Sequence, residues 1–151
     1  YKTLGTKLGL KFNSGNVNIN CNIAYLGQSS IYNPDLNFHI AINNKIKYQI
    51  NTRNEMAIFY SFKGPRSMIS KNMFGEILAE NLGSYNMLHL SYNRNLNEWI
   101  DLSVGCNNIF DIQTLDSETL ISGFHNSESG GMPLSCGRYI YTSLKINLQY
   151  E

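Results

Sequence analysis

Trp99-Ile-Asp-Leu-Ser-Val-Gly-Cys-Asn-Asn-Ile-Phe-Asp111 is the stretch that decides the fold class of this chain. Apolar residues occupy its even positions from Ile100 to Cys106, and polar or small residues occupy its odd positions from Asp101 to Asn107. A period of two is typical of a β-strand whose two faces meet different surroundings. The stretch therefore predicts a strand with one apolar face, which meets either a protein core or a lipid bilayer.

The same alternation recurs along the rest of the chain and predicts six further strands. In the clearest run, 38–50, the even positions are mostly Ile, Phe or Tyr and the odd positions are mostly polar. A helical wheel would scatter these residues around its whole circumference. Residues 75–81 are expected to form a turn or two of helix instead. The six further strands are predicted over residues 3–13, 17–26, 38–50, 55–62, 84–94 and 137–148.

The connections between the predicted strands alternate strictly between short and long. Outer-membrane barrels show this asymmetry, with tight turns at one end and extended loops at the other. Runs of about nine or more residues are also long enough to cross a bilayer at a tilt, whereas soluble strands average about five or six. Short connections fall at 14–16, 51–54 and 95–97, and long ones at 27–37, 63–83 and 111–136.

Aromatic residues on the apolar register give a further sign of a membrane barrel. They lie towards the predicted strand ends, where the interfacial girdles of such barrels form. The alternative is a soluble sandwich or lipocalin-like barrel, in which other protein atoms cover the apolar face. The aromatic residues concerned are Phe12, Tyr25, Phe38, Tyr48, Tyr92 and Phe110.

Composition and length narrow the class of protein. A hydrophobic content of 42% and a net charge of +1 over 151 residues exclude a disordered chain. The chain also lacks the large positive charge that is typical of nucleic-acid-binding proteins. The longest apolar run, Met56–Tyr60, is far shorter than the roughly 18 residues of a membrane-spanning helix. The odd number of cysteines and their spacing predict neither a disulfide framework nor a metal site.

The chain is expected to be part of a longer polypeptide. It does not begin with Met and shows no signal-peptide pattern. Seven strands in a bilayer would also leave two edges of unpaired backbone groups, each group costing several kcal/mol. Further strands are therefore expected to precede Tyr1.

Two segments near the end of the chain resemble TonB-dependent outer-membrane receptors. Residues 102–111, which end in Asn-Asn-Ile-Phe-Asp, resemble the end of the penultimate strand of that family. Gly137-Arg138 and the alternating run up to Leu148 resemble its terminal strand, and the predicted strand at 85–92 falls in the same order and spacing. The segment 125–134 resembles receptors from Bacteroidetes-like bacteria. The resemblance rests on specific motifs over about residues 82–148, and over residues 1–81 it rests on the alternating strand pattern alone.

The resemblance implies an all-β fold, a transmembrane antiparallel β-barrel of about 22 strands with a plugged lumen. This chain, residues 1–151, would form its last seven strands, and the plug and earlier strands would lie upstream. The implied function is not enzymatic. It is uptake of a scarce substrate (a ferric siderophore, haem, a vitamin or a glycan) across the outer membrane of a Gram-negative bacterium.

The implied partners are outer-membrane lipid, the TonB energy complex acting through the plug, the barrel-assembly machinery and a surface lipoprotein. No cofactor and no nucleic acid are expected. The alternative function is a non-transporting outer-membrane barrel or a soluble β-barrel or sandwich that binds a ligand. An upstream plug domain would distinguish the receptor from a plain barrel.

The family motif is expected to be structural. We expect Phe110 to anchor the strand at the outer interface, and Asn107 and Asn108 to satisfy the backbone where it leaves the barrel. The family usually ends on an aromatic residue, but the matching position here is Leu148, so Tyr150, in the same register, is the candidate for that role. The motif residues are Gly105, Asn107, Asn108, Ile109, Phe110, Asp111, Gly137 and Arg138.

Several polar-face residues are candidates for contact with a ligand or the plug. No histidine has a partner at a catalytic or zinc spacing. His39 and His89 either are solvated side chains that line the barrel interior or contact a ligand. His125, in the last loop, either contacts a ligand or a lipoprotein or is exposed to solvent. Lysines on this register, which include Lys45 and Lys47, either attract an anionic substrate or pair with acidic plug residues. The lysines are Lys7, Lys11, Lys45, Lys47, Lys63 and Lys145.

Overall fold

The computed structural model describes residues 2–29, 35–71, 77–115, 117–119 and 132–147. Within these ranges every regular element is a β-strand, and these residues form no helix that could span a membrane. The strands are β1 (Lys2–Ser14), β2 (Val17–Ser29), β3 (Asn37–Asn51), β4 (Asn54–Lys63), β5 (Arg66–Lys71), β6 (Ile77–Leu82), β7 (Tyr85–Asn97), β8 (Ile100–Asn107), β9 (Thr114–Leu115), β10 (Ser117–Thr119), β11 (Met132–Pro133) and β12 (Tyr139–Ile146).

The main structure is a seven-stranded antiparallel sheet in the order β1-β2-β3-β4-β7-β8-β12. Its strands correspond to the seven predicted from the alternation, so the all-β, antiparallel prediction is confirmed. Within this sheet each strand pairs, antiparallel, with the next strand of the same sheet, so the tight turns lie at one end of the sheet and the longer connections, which carry the other strands, lie at the opposite end. The sheet is open, with β1 and β12 at its edges. A three-stranded sheet, β10-β6-β5, and a two-stranded ribbon, β11-β9, are built from the longer connections.

The strand register places the apolar residues of all seven strands on one face. Apolar residues of neighbouring strands lie directly opposite each other, where cross-strand side chains contact each other most closely. Polar residues form matching rows on the other face, so the two faces keep their characters across the sheet. One apolar row, read from edge to edge, is Phe12, Ile19, Ile46, Ile58, Leu90, Cys106 and Ile140.

The apolar face has no covering layer in the described part of the chain. There the buried hydrophobic residues are Ala41, Leu82 and Leu115 alone, whereas Leu8 is 58% exposed and Ile140 is 77% exposed. The sheet therefore lacks the internal core that a sandwich builds between two sheets.

Three details of the predicted layout are wrong. Residues 77–81 belong to β6, which pairs with β5 and β10, and do not form a helical turn; residues 75 and 76 lie outside the described residues. The connection predicted to start at Gly27 starts later, because β2 continues to Ser29, which pairs with Lys2.

The third detail is the turn predicted at residues 95–97. Strand β7 continues to Asn97, with a bulge between Asn95 and Asn97, and the turn is at residues 98–99. The side chain of Asn97 accepts a hydrogen bond from the Trp99 N–H at 2.9 Å. This Asx-type contact satisfies the backbone inside the turn and moves the reversal two residues along the chain. The candidates Leu148 and Tyr150 lie outside the described residues.

Candidate functional site

A pocket of about 260 Å³ lies on the polar face of the seven-stranded sheet. Strands β3, β4, β7, β8 and β12 contribute its walls, because alternate residues of each strand face the same side. Charged, aromatic and amide side chains converge there, so the pocket offers charged and polar contacts to a ligand. The residues that matter for its chemistry are Lys45, Lys47, Glu55, Phe59, His89 and Tyr141.

Lys47 and Glu55 form an ion pair at the floor of the pocket. The Lys47 Nζ lies 3.1 Å and 3.2 Å from the two carboxylate oxygens of Glu55, and the Asn93 amide donates to one of them at 3.5 Å. In the described ranges this is the one salt bridge, so Glu55 does not also neutralise Lys45. Lys45 lies on the same face and leaves the pocket with an unpaired positive charge.

His89 is held in place by one ring nitrogen. Its Nδ1 lies 2.8 Å from the side-chain oxygen of Asn107, and its ring is 5.6 Å from that of Phe59 at a tilt of 49°. The backbone N–H of Asn108 also donates to this Nδ1 at 3.4 Å, so Nδ1 is engaged by the protein in either tautomer. Any contact from His89 to a ligand therefore falls to Nε2.

The arrangement suits binding better than catalysis. A cation, an ion pair and a partly exposed aromatic ring can hold a polar or anionic ligand, but none of these side chains is a nucleophile held by a base. Across the described residues, no group of three or more His, Cys, Asp or Glu side chains converges to hold a metal ion.

The structure brings together some of the predicted contact residues and separates others. Lys45, Lys47 and His89 line the same pocket. His39 lies at the other end of β3, where its Cα pairs with that of Leu26. His125 lies outside the described residues.

Four of the motif residues form a hydrogen-bonded cluster with Ile112 and Ser135 at the base of the last long connection. Asn108 is its centre, is 2% exposed, and has a positive φ of 51°. Its Nδ2 donates to the carbonyl of Ile112 at 2.8 Å and to the hydroxyl of Ser135 at 2.9 Å, and its Oδ1 accepts from the Ile112 N–H at 3.1 Å. Ser135 also donates to the Ile112 carbonyl at 2.7 Å and accepts from the Gly137 N–H at 3.2 Å.

Asp111 makes the second half of this cluster. Its Oδ1 accepts from the Arg138 backbone N–H at 2.7 Å and from the Gln113 amide at 3.3 Å. These two hydrogen bonds, that of Arg138 first, lower the pKa of the Asp111 carboxyl below its usual value. Gly137 has a φ of 83°, and a Cβ there would lie 2.9 Å from the Asp111 oxygen, so glycine is required.

We call Asn108, Asp111, Ile112, Ser135, Gly137 and Arg138 the loop clasp. It ties the end of β8 to the start of β12 across the 31 residues of chain between them. Sequence reasoning selected Asn108 and Asp111 but missed Ser135, which carries no motif signal and is identified only by its position against Asn108. The motif residue Phe110 follows the clasp centre and is 47% exposed.

The other motif residues lie on β8 or just beyond its end. Ile109 extends the ladder by donating its N–H to the Leu88 carbonyl at 2.8 Å. The ring of Tyr141 covers Gly105, where a Cβ would lie 2.6 Å from ring atoms. The Asn107 side chain contacts His89 rather than the backbone, which differs from the role expected for it. No protein-family model, curated protein or solved structure matches this chain, so its function is argued from these residues and their geometry.

Proposed function

We propose that this chain forms the last seven strands of the barrel of a TonB-dependent outer-membrane receptor, which imports a scarce substrate. The observation that carries the proposal is the uncovered apolar face, whose row from Phe12 to Ile140 crosses the whole sheet. Residues of this size gain about 1.5–3 kcal/mol each when they leave water. A face with at least ten of them would cost tens of kcal/mol in water, and acyl chains would remove that cost.

The lengths of the four longest strands and the placement of the connections agree with this environment. Strands β1, β2 and β7 have 13 residues each and β3 has 15. Strands that cross a bilayer at a tilt need about 9–11 residues. The short turns lie at one end of the sheet and the long connections at the other, as they do in outer-membrane barrels.

The open edges support a larger barrel. Strands β1 and β12 each have one edge without a strand partner among the described residues. In lipid such unpaired backbone groups cost several kcal/mol each, so further strands of the same protein would close the barrel.

In this proposal the polar face lines the interior of the barrel, and the pocket around Lys45 and His89 is part of its wall. Substrate would bind the long connections and an upstream plug, and the TonB energy complex would act on that plug. The loop clasp would fix the base of the last extracellular connection. The substrate would be a ferric siderophore, haem, a vitamin or a glycan, and the chain would have no enzymatic role.

A matched pair of charge substitutions tests the membrane environment. Leu90 lies on the apolar face, and the next residue, Ser91, lies on the polar face. Arginine in the middle of a lipid-facing strand costs about 2–4 kcal/mol, whereas an interior position tolerates it. We expect Leu90→Arg to reduce the heat-modifiable, folded form of the full-length protein in outer-membrane fractions, and Ser91→Arg to leave it near the wild-type amount. Recovery of the wild-type protein in the soluble fraction, or equal effects of the two variants, would overturn the proposal.

Transport requires a separate experiment. Deletion of the gene should abolish growth on one defined iron or carbon source, and loss of the TonB complex should have the same effect. A protein that assembles in the outer membrane but supports no TonB-dependent uptake would instead be a non-transporting barrel.

A further inference from the structure

Two cations share one aromatic ring at the end of the polar face from which the long connections leave. The Nζ of Lys63 lies 6.0 Å from the centre of the Tyr85 ring, and the guanidinium carbon of Arg66 lies 5.7 Å from it. Cations at such distances are attracted by the face of the ring. Both cations therefore lie within about 6 Å of the centre of one ring.

The fold fixes this cluster through the break after β4. The Gly64 N–H donates to the carbonyl of Ile40 at 2.7 Å, which binds the end of β4 to β3. A Cβ on Gly64 would lie 3.3 Å from the backbone of Ile40, so the close approach favours glycine. Since His39 is the neighbour of Ile40 and faces the polar side, both cations lie within electrostatic range of its imidazole.

The cluster has an unfilled hydrogen-bonding position. The Nη1 of Arg66 is buried and has no hydrogen-bond partner among the described residues. A buried donor without a partner is costly and is uncommon in native proteins. Among the described side chains no carboxylate pairs with Lys63 or Arg66, since the one salt bridge there is Lys47–Glu55.

We propose that Lys63, Arg66 and Tyr85 form a binding site for a small oxyanion, the phosphate or carboxylate group of a soluble ligand. The guanidinium would present its fork to two oxygens of the anion, and Lys63 would add a point charge. His39 would supply a further N–H donor at the side of β3.

A soluble ligand fits this position better than a lipid headgroup. Lys63 and Tyr85 are directly paired across β4 and β7, and both are on the face opposite the apolar row. A ligand reaching them from the interior or from the loop end therefore does not pass through acyl chains. The site is separate from the pocket around Lys45, and its binding chemistry does not require the transport proposal to hold.

The test measures binding of inorganic phosphate and pyrophosphate to the purified full-length protein by titration calorimetry. We expect Arg66→Ala and Lys63→Ala each to weaken pyrophosphate binding by about tenfold or more, because each removes a charge-assisted contact. Arg66→Lys should weaken it by a smaller factor, since the charge remains but the fork is lost. Lys11→Ala is the matched control: it removes one lysine from the same face, on β1, and should change the affinity by less than about twofold.

Three results would overturn the proposal. One is the absence of phosphate and pyrophosphate binding to the wild-type protein at about 10 mM, a weak-binding limit. Another is an equal loss in Lys11→Ala, which would indicate diffuse charge attraction. The third is an affinity for pyrophosphate that rises about tenfold in Glu80→Ala. The backbone of Glu80 pairs with that of Met68, two residues from Arg66 on β5. Such a rise would mean that the Glu80 carboxylate competes with the anion for the guanidinium.

The controls keep folding and transport apart from binding. The amount of heat-modifiable folded protein is measured for each variant, and if Arg66→Ala does not fold, Lys63→Ala and Arg66→Lys carry the test. Failure of the transport proposal would appear in membrane fractionation and uptake, whereas failure of the anion site would appear only in the titrations.

Discussion

Replacing Asn108 with Ala should open the loop clasp. Asn108 makes three hydrogen bonds, to the carbonyl and N–H of Ile112 and to Ser135, and is 2% exposed. Each buried hydrogen bond contributes about 0.5–1.5 kcal/mol net. Alanine at a φ of 51° adds a backbone cost of about 1–2 kcal/mol that asparagine largely avoids. The expected loss of stability is therefore about 2.5–6.5 kcal/mol for opening the clasp.

Hydrogen exchange measures this local opening directly. The N–H of Gly137 donates to Ser135, and that of Leu134 donates to the Gln113 carbonyl at 2.9 Å, so both report on the closed clasp. A loss of about 3 kcal/mol or more corresponds to exchange that is faster by about two orders of magnitude or more. Mass spectrometry of peptides covering residues 132–139 in the full-length protein gives the rates.

The adjacent asparagine provides the control. Asn107 makes one described side-chain hydrogen bond, to His89, and Asn107→Ala should cost about 1 kcal/mol and leave the clasp amides protected. Asn108→Ala and Ser135→Ala should be strongly non-additive, because both remove the same network. Equal exchange in the Asn107 and Asn108 variants, or less than a tenfold effect of Asn108→Ala, would refute this account of the clasp.

Three further predictions concern other contacts. The pKa of the Asp111 carboxyl is lowered in the folded protein, so its carboxylate stabilises the clasp above the ordinary pKa and loses that effect as the pH falls through the lower folded value. Asp111→Asn should therefore reduce the exchange protection of the clasp amides at neutral pH. In acid the difference from wild type should vanish. Gly105→Ala should lower the thermal stability by about 1–3 kcal/mol, since the new methyl group meets the Tyr141 ring, and the double variant with Tyr141→Ala should recover much of the loss. A double-mutant cycle on Lys47 and Glu55 should give a coupling below about 1 kcal/mol, because both side chains remain partly solvated, and a larger value would mean that the pocket is drier than the structure indicates.

The period-two pattern predicted the seven long strands because one face of each strand is almost purely apolar. The ends of the strands are set by single contacts that leave no period-two signal in the sequence. The Asn97 side chain moves the turn to residues 98–99, and the pairing of Ser29 with Lys2 extends β2. The residues of β6, Ile-Leu-Ala-Glu-Asn-Leu, include good helix formers, and their pairing with β5 and β10 overrides that propensity.

The residues of the candidate sites also fall into those that a local motif identifies and those that only a contact between distant segments identifies. Asn108 and Asp111 stand in a local motif, so the sequence identified them. Ser135 lies 27 residues from Asn108 along the chain, and Arg66 on β5 lies over the ring of Tyr85 on β7. Contacts of this kind depend on the register between distant segments, which alternation alone does not specify.

The pairing of every strand with its successor also bears on the order of folding. Hairpins such as β1-β2 and β3-β4 close over two-residue turns, at a small entropic cost, and are expected to form early. The final pairing, β12 with β8, must first close more than 30 residues of intervening chain, so it should be the slowest step. The clasp acts where that long segment begins and ends, and a chain with a weakened clasp would be expected to leave its last strand undocked for longer and more open to proteases.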